Sequence, residues 1–299
     1  EKLLNEMAPT ILNPENVENA DTSMEMDGEN SISKFQRMSI ADNSARIGSL
    51  LAQKQYYSDA IKFVTSINNI IPTICLLLSS TTKTEVFDVM EFLVDAHIYK
   101  LESSEAGIRK MLHLIWEREL SSEDGTKQSI KEHLIENYRR IYLYADESIP
   151  PKDRYAAIAR NLVAMVEGIS IAELASLTEL FLCFVKKNLI HEQVINQIFA
   201  LFASNEFDTR CRRSALIIIS ILSKTKREIV EMKLETLLKL GLGTLGQTDP
   251  LIAQYTLISL QSLSTRLPAG NVLFTRICNF ISTVCNSTRW HSVINQAIS

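Results

Sequence analysis

The side chains in this sequence that could do chemistry are few, and their spacing decides what they can do. Gly241-Leu-Gly243-Thr-Leu-Gly246 matches the GxGxxG spacing of a dinucleotide-binding turn. That turn needs a strand before it and a helix straight after it, so that the helix N-terminus meets a pyrophosphate. Here Leu237-Leu-Lys-Leu240 closes an apolar helical pattern, and the next helix start waits until Asp249. The glycines therefore read as a helix C-cap and inter-helix loop, with a positive φ at Gly241, Gly243 or Gly246. His97, His113, His133, His191 and His291 are scattered among helical patterns, and none has a second His or Cys three or four residues on. Metal binding needs convergent ligands, so these read as structural histidines. No Ser, His or Cys element resembles a nucleophile motif. The reading is no enzyme, no cofactor and no metal.

One stretch stands out by charge. Arg210, Arg212, Arg213, Lys224, Lys226 and Arg227 place six cations within 209–227, with no acidic residue between them. Such a run can bind phosphates or an acidic peptide. It can equally be solvated surface where cations meet a helix C-terminus. Arg212 also reads as an internal arginine that turns inward to pair with a neighbouring Asp. These six are the candidate DNA-contacting or partner-contacting residues.

The elements that must position them are helices. Paired helical patterns fall near 60–79 with 83–98, 104–119 with 128–144, and 152–166 with 171–187. Then come 191–203 with 208–223, 226–240 with 249–265, and 270–286 with 289 onward. Asp249-Pro250 puts a capping Asp before Pro at the first helical position. Ser170-Ile-Ala-Glu173 fits a capping box. Ile171, Leu174, Leu177, Phe181 and Phe184 share one stripe. The Ile-rich 215–222 would read as a strand on propensity, but its charged flanks and its place in the repeat argue helix. Pro72 should kink the first helix. The second helices recur every ~37–45 residues, the period of HEAT or armadillo pairs. Asp208, Cys211, Arg212, Ala215 and Ile219 share their offsets with Asp249, Ile252, Ala253, Thr256 and Leu260. One helix pair cannot bury its own apolar face, so stacked pairs share a continuous core. Leu112, Ile115, Phe181, Ile217 and Leu260 should lie in that core. The expected fold is all-α: a HEAT-type α-solenoid of about six helix pairs over 34–299, truncated at both ends.

Composition agrees. The 299 residues include only 9 Gly and 7 Pro, too few for the frequent turns of a strand-rich domain. No uninterrupted apolar run approaches the ~18–20 residues of a membrane span, and the longest is Ala215–Leu222. Residues 1–33 carry eight acids and one Lys, a net of −7. With −4 overall, residues 34–299 are at +3. The acidic segment reads as a disordered linker or the edge of a repeat. Five Cys without a CxxC pair fit a reduced, intracellular protein. The Asn286-Ser-Thr288 glycosylation triplet would then be idle. The missing initiator Met and an end inside a helical pattern suggest a fragment of a longer chain.

Four blocks carry a family resemblance. They are Ile71-Pro-Thr-Ile-Cys-Leu-Leu-Leu78, Met90-Glu-Phe-Leu-Val-Asp-Ala-His-Ile-Tyr-Lys100, Glu105-Ala-Gly-Ile-Arg-Lys-Met-Leu-His-Leu-Ile-Trp116 and Leu237-Leu-Lys-Leu-Gly-Leu-Gly-Thr-Leu-Gly246. Over roughly residues 56–265 the sequence resembles the condensin complex subunit 1 family, and specifically its central part. The resemblance implies a non-catalytic HEAT-repeat scaffold that works beside the SMC ATPase pair. It implies binding to the kleisin subunit, to SMC ATPase heads and to DNA without sequence preference, in mitotic chromosome condensation. It implies residence in the nucleus and on chromosomes, with the cytoplasm open as well, and no membrane. Without the resemblance, a nuclear transport receptor or a phosphatase scaffold would share the repeat. An enzyme with a helical accessory domain is the more distant alternative.

Overall fold

The computed structural model describes residues 29–117, 129–145, 148–263, 272–284 and 290–298. Every regular element among them is helical. The first helix, α1, runs Glu29–Ile74 and tightens into a 3₁₀ turn at Cys75–Ser79. Then follow α2 (Lys83–Ile98), α3 (Ser104–Met111) with a 3₁₀ turn at Leu112–Trp116, and α4 (Ile130–Tyr142). Next are α5 (Pro151–Val166), α6 (Ile171–Lys186), α7 (Glu192–Ala203) and α8 (Thr209–Ser223). The last group is α9 (Glu228–Thr236), a π-helical stretch Leu237–Thr244, α10 (Leu245–Thr248), α11 (Pro250–Leu260), α12 (Val272–Val284) and α13 (His291–Ile298). The helix pairs expected from period are present, including the helix over the Ile-rich stretch. Of the acidic segment, 1–28 lies outside the described residues, while 29–33 already belong to α1.

Local chemistry accounts for the helix starts. The Ser170 hydroxyl accepts the Glu173 N–H, and the Glu173 carboxylate accepts the Ser170 N–H at 2.8 Å, a complete capping box. Asp249 accepts the Leu251 N–H at 3.1 Å, with Pro250 at the first helical position. His191 opens α7 in the same way, its Nδ1 accepting the Gln193 N–H at 3.2 Å. Pro72 has no N–H to give, and the α-helical ladder passes into the 3₁₀ turn three residues later.

The chain divides into two compact units, Glu1–Phe63 and Val64–Ser299. The described part of the first is helical, and Ile47, Leu51, Tyr56, Ile61 and Phe63 on it are all more than half exposed. In the second unit, the second helices of successive pairs pack side by side: α2 on α4, α4 on α6, α6 on α8, α8 on α11 and α11 on α13. From α2 to α8, cross-links show that these neighbours run parallel. Glu91 and Asp95 of α2 meet His133 (3.6 Å) and Arg140 (3.0 Å) of α4 in the same order. Lys131 near the start of α4 holds Glu179 of α6 at 3.0 Å. Lys187, just past the end of α6, acts electrostatically on Glu136, midway along α4 and beyond Lys131. At the start of α8, Cys211 feels Glu167, which lies just before α6. The N-termini of α2, α4, α6 and α8 therefore share one edge and their C-termini the other.

The core follows the stripes. Leu112, Ile115, Phe181 and Leu260 are buried, and Ile217 is half-buried against the same core. Each fully buried Leu or Phe removes apolar area worth about 1.5–3 kcal/mol. Ile171 departs from its expected stripe and is 90% exposed. It occupies the first position of α6, beyond the reach of the neighbouring helices, so the buried stripe starts at Leu174.

The expectation about long apolar segments needs correction. Asn43–Ser79 is 37 residues long and holds an 18-residue window of mean hydropathy 1.6, 17% of it buried. By length and composition it is sufficient to cross a membrane. Counting uninterrupted runs missed it, because scattered Ser, Thr and Asn break the run while barely lowering the mean. Three of its residues, Ile71, Cys75 and Leu78, are buried in the core of the second unit.

Candidate interaction surface

The six cations named from sequence divide into three groups. Arg212 is buried, with 6% of its surface exposed. Its Nε–H donates to the Phe202 carbonyl at 3.0 Å and its Nη1 to Asn205 Oδ1 at 3.3 Å. Phe202 lies in the last turn of α7, where carbonyls lack helical partners, so Arg212 closes the α7–α8 corner. Burial pulls its guanidinium down from the ordinary value. Arg213 pairs with Asp249, the cap of α11. The internal arginine that reaches an Asp is therefore Arg213, and its neighbour Arg212 is held by a carbonyl and an amide through Nε and Nη1, with its Nη2 buried and without a partner. One step along a helix turns a side chain by about 100°, so two adjacent arginines cannot share a direction.

The remaining four cations lie at opposite ends of one helix. Arg210 sits in the first turn of α8, whereas Lys224, Lys226 and Arg227 follow its last turn. Fourteen residues of helix set Arg210 about 21 Å from Lys224. The run is continuous in sequence but not in space. At the C-terminal edge the second-helix stack brings in two cations that sequence reasoning left out, Lys186 and Lys187, both exposed. The available signal was the repeat itself. Lys186 precedes Lys224 by 38 residues, one period, and equivalent positions of a repeat share an edge.

The glycine segment is not a C-cap loop. Leu237–Thr244 is a π-helical stretch, and the only glycine with positive φ among the described residues is Gly168. The reason for glycine here is closeness. A Cβ on Gly241 would meet the Thr256 side chain, with Cγ2 at 2.6 Å, and one on Gly246 would press on the Gly241 carbonyl. Gly243 lines an open groove of about 490 Å³ between this stretch and α12. Its floor is Leu238, Leu242 and Phe280, with Lys239 and the Glu235–Arg276 ion pair (3.1 Å) at its rim. A helix, not a strand, precedes these glycines, so the context of a pyrophosphate turn is missing.

Several other reactive groups are engaged in packing, while the free Cys278 is exposed. Burial raises the thiols of Cys75, Cys183 and Cys211 above their ordinary value, which disfavours the nucleophilic thiolate. His97 lies tilted against Tyr142 with ring centres 6.1 Å apart, and His133 against Phe87 at 4.6 Å, and burial pulls both imidazoles below their ordinary value. No group of three or more His, Cys, Asp or Glu is arranged to hold a metal among the described residues.

No protein-family model matches the chain. Comparison with curated proteins does find relatives. Condensin complex subunit 1 of Saccharomyces cerevisiae is 34% identical over 257 residues, covering 80% of this chain and 21% of that protein. The Schizosaccharomyces pombe subunit is 26% identical over 280 residues, 90% of this chain and 24% of that protein. The human subunit is 26% identical over 215 residues, 71% of this chain and 15% of that protein. The chain thus spans about a fifth of the relatives it matches. The resemblance read from four short blocks extends along most of the molecule: from yeasts to human, this chain matches the condensin complex subunit 1 family.

Proposed function

We propose that this chain is a non-catalytic scaffold segment of a condensin complex, acting on chromosomes in the nucleus. In this reading it offers surfaces to the kleisin subunit, to the SMC ATPase heads and to DNA without sequence preference. The match to condensin complex subunit 1 over 80% of the chain carries the proposal. The fold supports it, since parallel second helices leave long continuous edges on which an extended partner can lie. A kleisin linker that is disordered alone loses chain entropy on binding, so its contact must spread over several repeats.

Co-purification of the chain with a central kleisin fragment tests the proposal. A stable complex is expected, and any single exposed alanine substitution should weaken it only modestly. Failure to co-purify, with the chain folded, overturns it. Capture of a transport GTPase or a phosphatase subunit instead would favour those scaffolds, and turnover of any nucleotide would favour an enzyme.

A further inference from the structure

The geometry points to one phosphate-binding edge built from two adjacent repeats, made of Lys186 and Lys187 together with Lys224, Lys226 and Arg227. This rests on the reading that the chain engages DNA, and it names where. The ends of α6 and α8 lie at the same edge because the two helices pack together, are of nearly equal length and start together, with Cys211 within electrostatic reach of Glu167. Packed helices lie about 8–10 Å apart, so the five cations form one strip. Lys186, Lys187, Lys224 and Arg227 are exposed and Lys226 is half-buried, and none of the five is in an ion pair among the described residues. The nearby acids do not cancel the strip. Glu136 is held by Arg139 at 2.5 Å, and the first turn of α9 sets Glu228 and Glu231, two acids, against the five cations.

The ligand class follows from charge. A row of cations outside any ion pair among the described residues suits a nucleic-acid backbone, which is contacted through phosphates and carries no base information. Arg210 lies at the opposite edge, while Arg212 and Arg213 serve the fold. The strip therefore cuts across the run of charge in the sequence.

The test uses the assembled complex carrying this subunit, with a fluorescent duplex of arbitrary sequence and a poly-glutamate peptide as probes. Lys186→Glu/Lys187→Glu and Lys224→Glu/Arg227→Glu are made as separate pairs and together. Each pair should weaken duplex binding, and the fourfold variant should weaken it by about tenfold or more at moderate salt, with the log–log salt slope lowered by about 0.9 per lost contact. Arg210→Glu should change affinity less than about twofold. The edge is overturned if the Lys186/Lys187 pair leaves affinity unchanged in a folded protein, or if Arg210→Glu matches the fourfold loss. It is also overturned if the fourfold variant loses only poly-glutamate binding, or lowers the melting temperature while duplex affinity holds. An unmutated complex that binds no duplex would overturn the DNA reading itself, and the edge with it. Lysine-to-glutamine versions keep the comparison usable should charge reversal impair folding.

Discussion

Arg213 and Asp249 tie neighbouring second helices together at their starts. The guanidinium Nε–H of α8 reaches one carboxylate oxygen of Asp249, while the other oxygen caps α11 by accepting the Leu251 N–H at 3.1 Å. The Asp249 side chain is only 6% exposed, against 39% for Arg213. Loss of the arginine therefore leaves a buried carboxylate short of a partner, whereas loss of the aspartate leaves an arginine that water can reach.

The first prediction follows from that asymmetry. Arg213→Ala should destabilise by about 1–3 kcal/mol in urea unfolding, because an under-satisfied buried acceptor carries most of its desolvation cost. Asp249→Asn should cost less than Asp249→Ala, since an amide oxygen still caps α11. A double-mutant cycle should give a coupling above about 0.5 kcal/mol. Coupling near zero would show that the contact contributes nothing to stability.

A second prediction concerns the π-helical stretch. Gly241→Ala places a methyl within 2.6–2.8 Å of Thr256 Cγ2 and Cβ, so overpacking should cost about 1–3 kcal/mol or more. Thr256→Ala in the same chain should recover part of the loss, and only part, because its own Cβ remains at 2.8 Å. Gly243→Ala meets nothing within 4 Å and should be nearly silent in the same thermal melts. Equal losses at Gly241 and Gly243 would refute close packing as the reason for glycine.

What was legible in the sequence depended on range. Ser170 with Glu173, and Asp249 with Pro250, act within one helical turn, and both caps formed as read. The pairing of helices was also readable, because period and stripe are local. The glycines misled because their role is set by Thr256, on a different helix. The choice between Arg212 and Arg213 depended on which side of α8 faces α7 and which faces α11. The regrouping of Lys187 with Lys224 needed the parallel stack, which is a property of the assembled repeats.

A third prediction concerns pH. Burial lowers the imidazoles of His97 and His133 in the fold, so the folded state prefers both neutral. A lowered pKa gives stability that is complete above the unfolded value of about 6.5 and is lost as pH falls through the folded one. The urea midpoint should therefore fall between pH 7 and about 5, above the range where carboxylates titrate. His97→Phe with His133→Phe should flatten this slope. A midpoint that rises on acidification, or an unchanged slope in the double variant, would contradict the buried-neutral assignment.

The last prediction separates the two halves of the capping box. Ser170 and Glu173 each satisfy one N–H at the start of α6, whose Leu177, Phe181 and Phe184 lie in the core. Ser170→Ala should cost about 1 kcal/mol, the usual worth of an N-cap. The hydrogen bonds from Ser170 hold the Glu173 carboxyl below its ordinary value. Its contribution is therefore present above the unfolded pKa, near 4.3, and is lost as pH falls through the folded one. Glu173→Gln keeps an acceptor oxygen but cannot ionise, so it should remove this acid-range dependence while costing less at pH 7 than Glu173→Ala. Equal loss in Gln and Ala at neutral pH would assign the effect to charge at the helix N-terminus rather than to the reciprocal hydrogen bond.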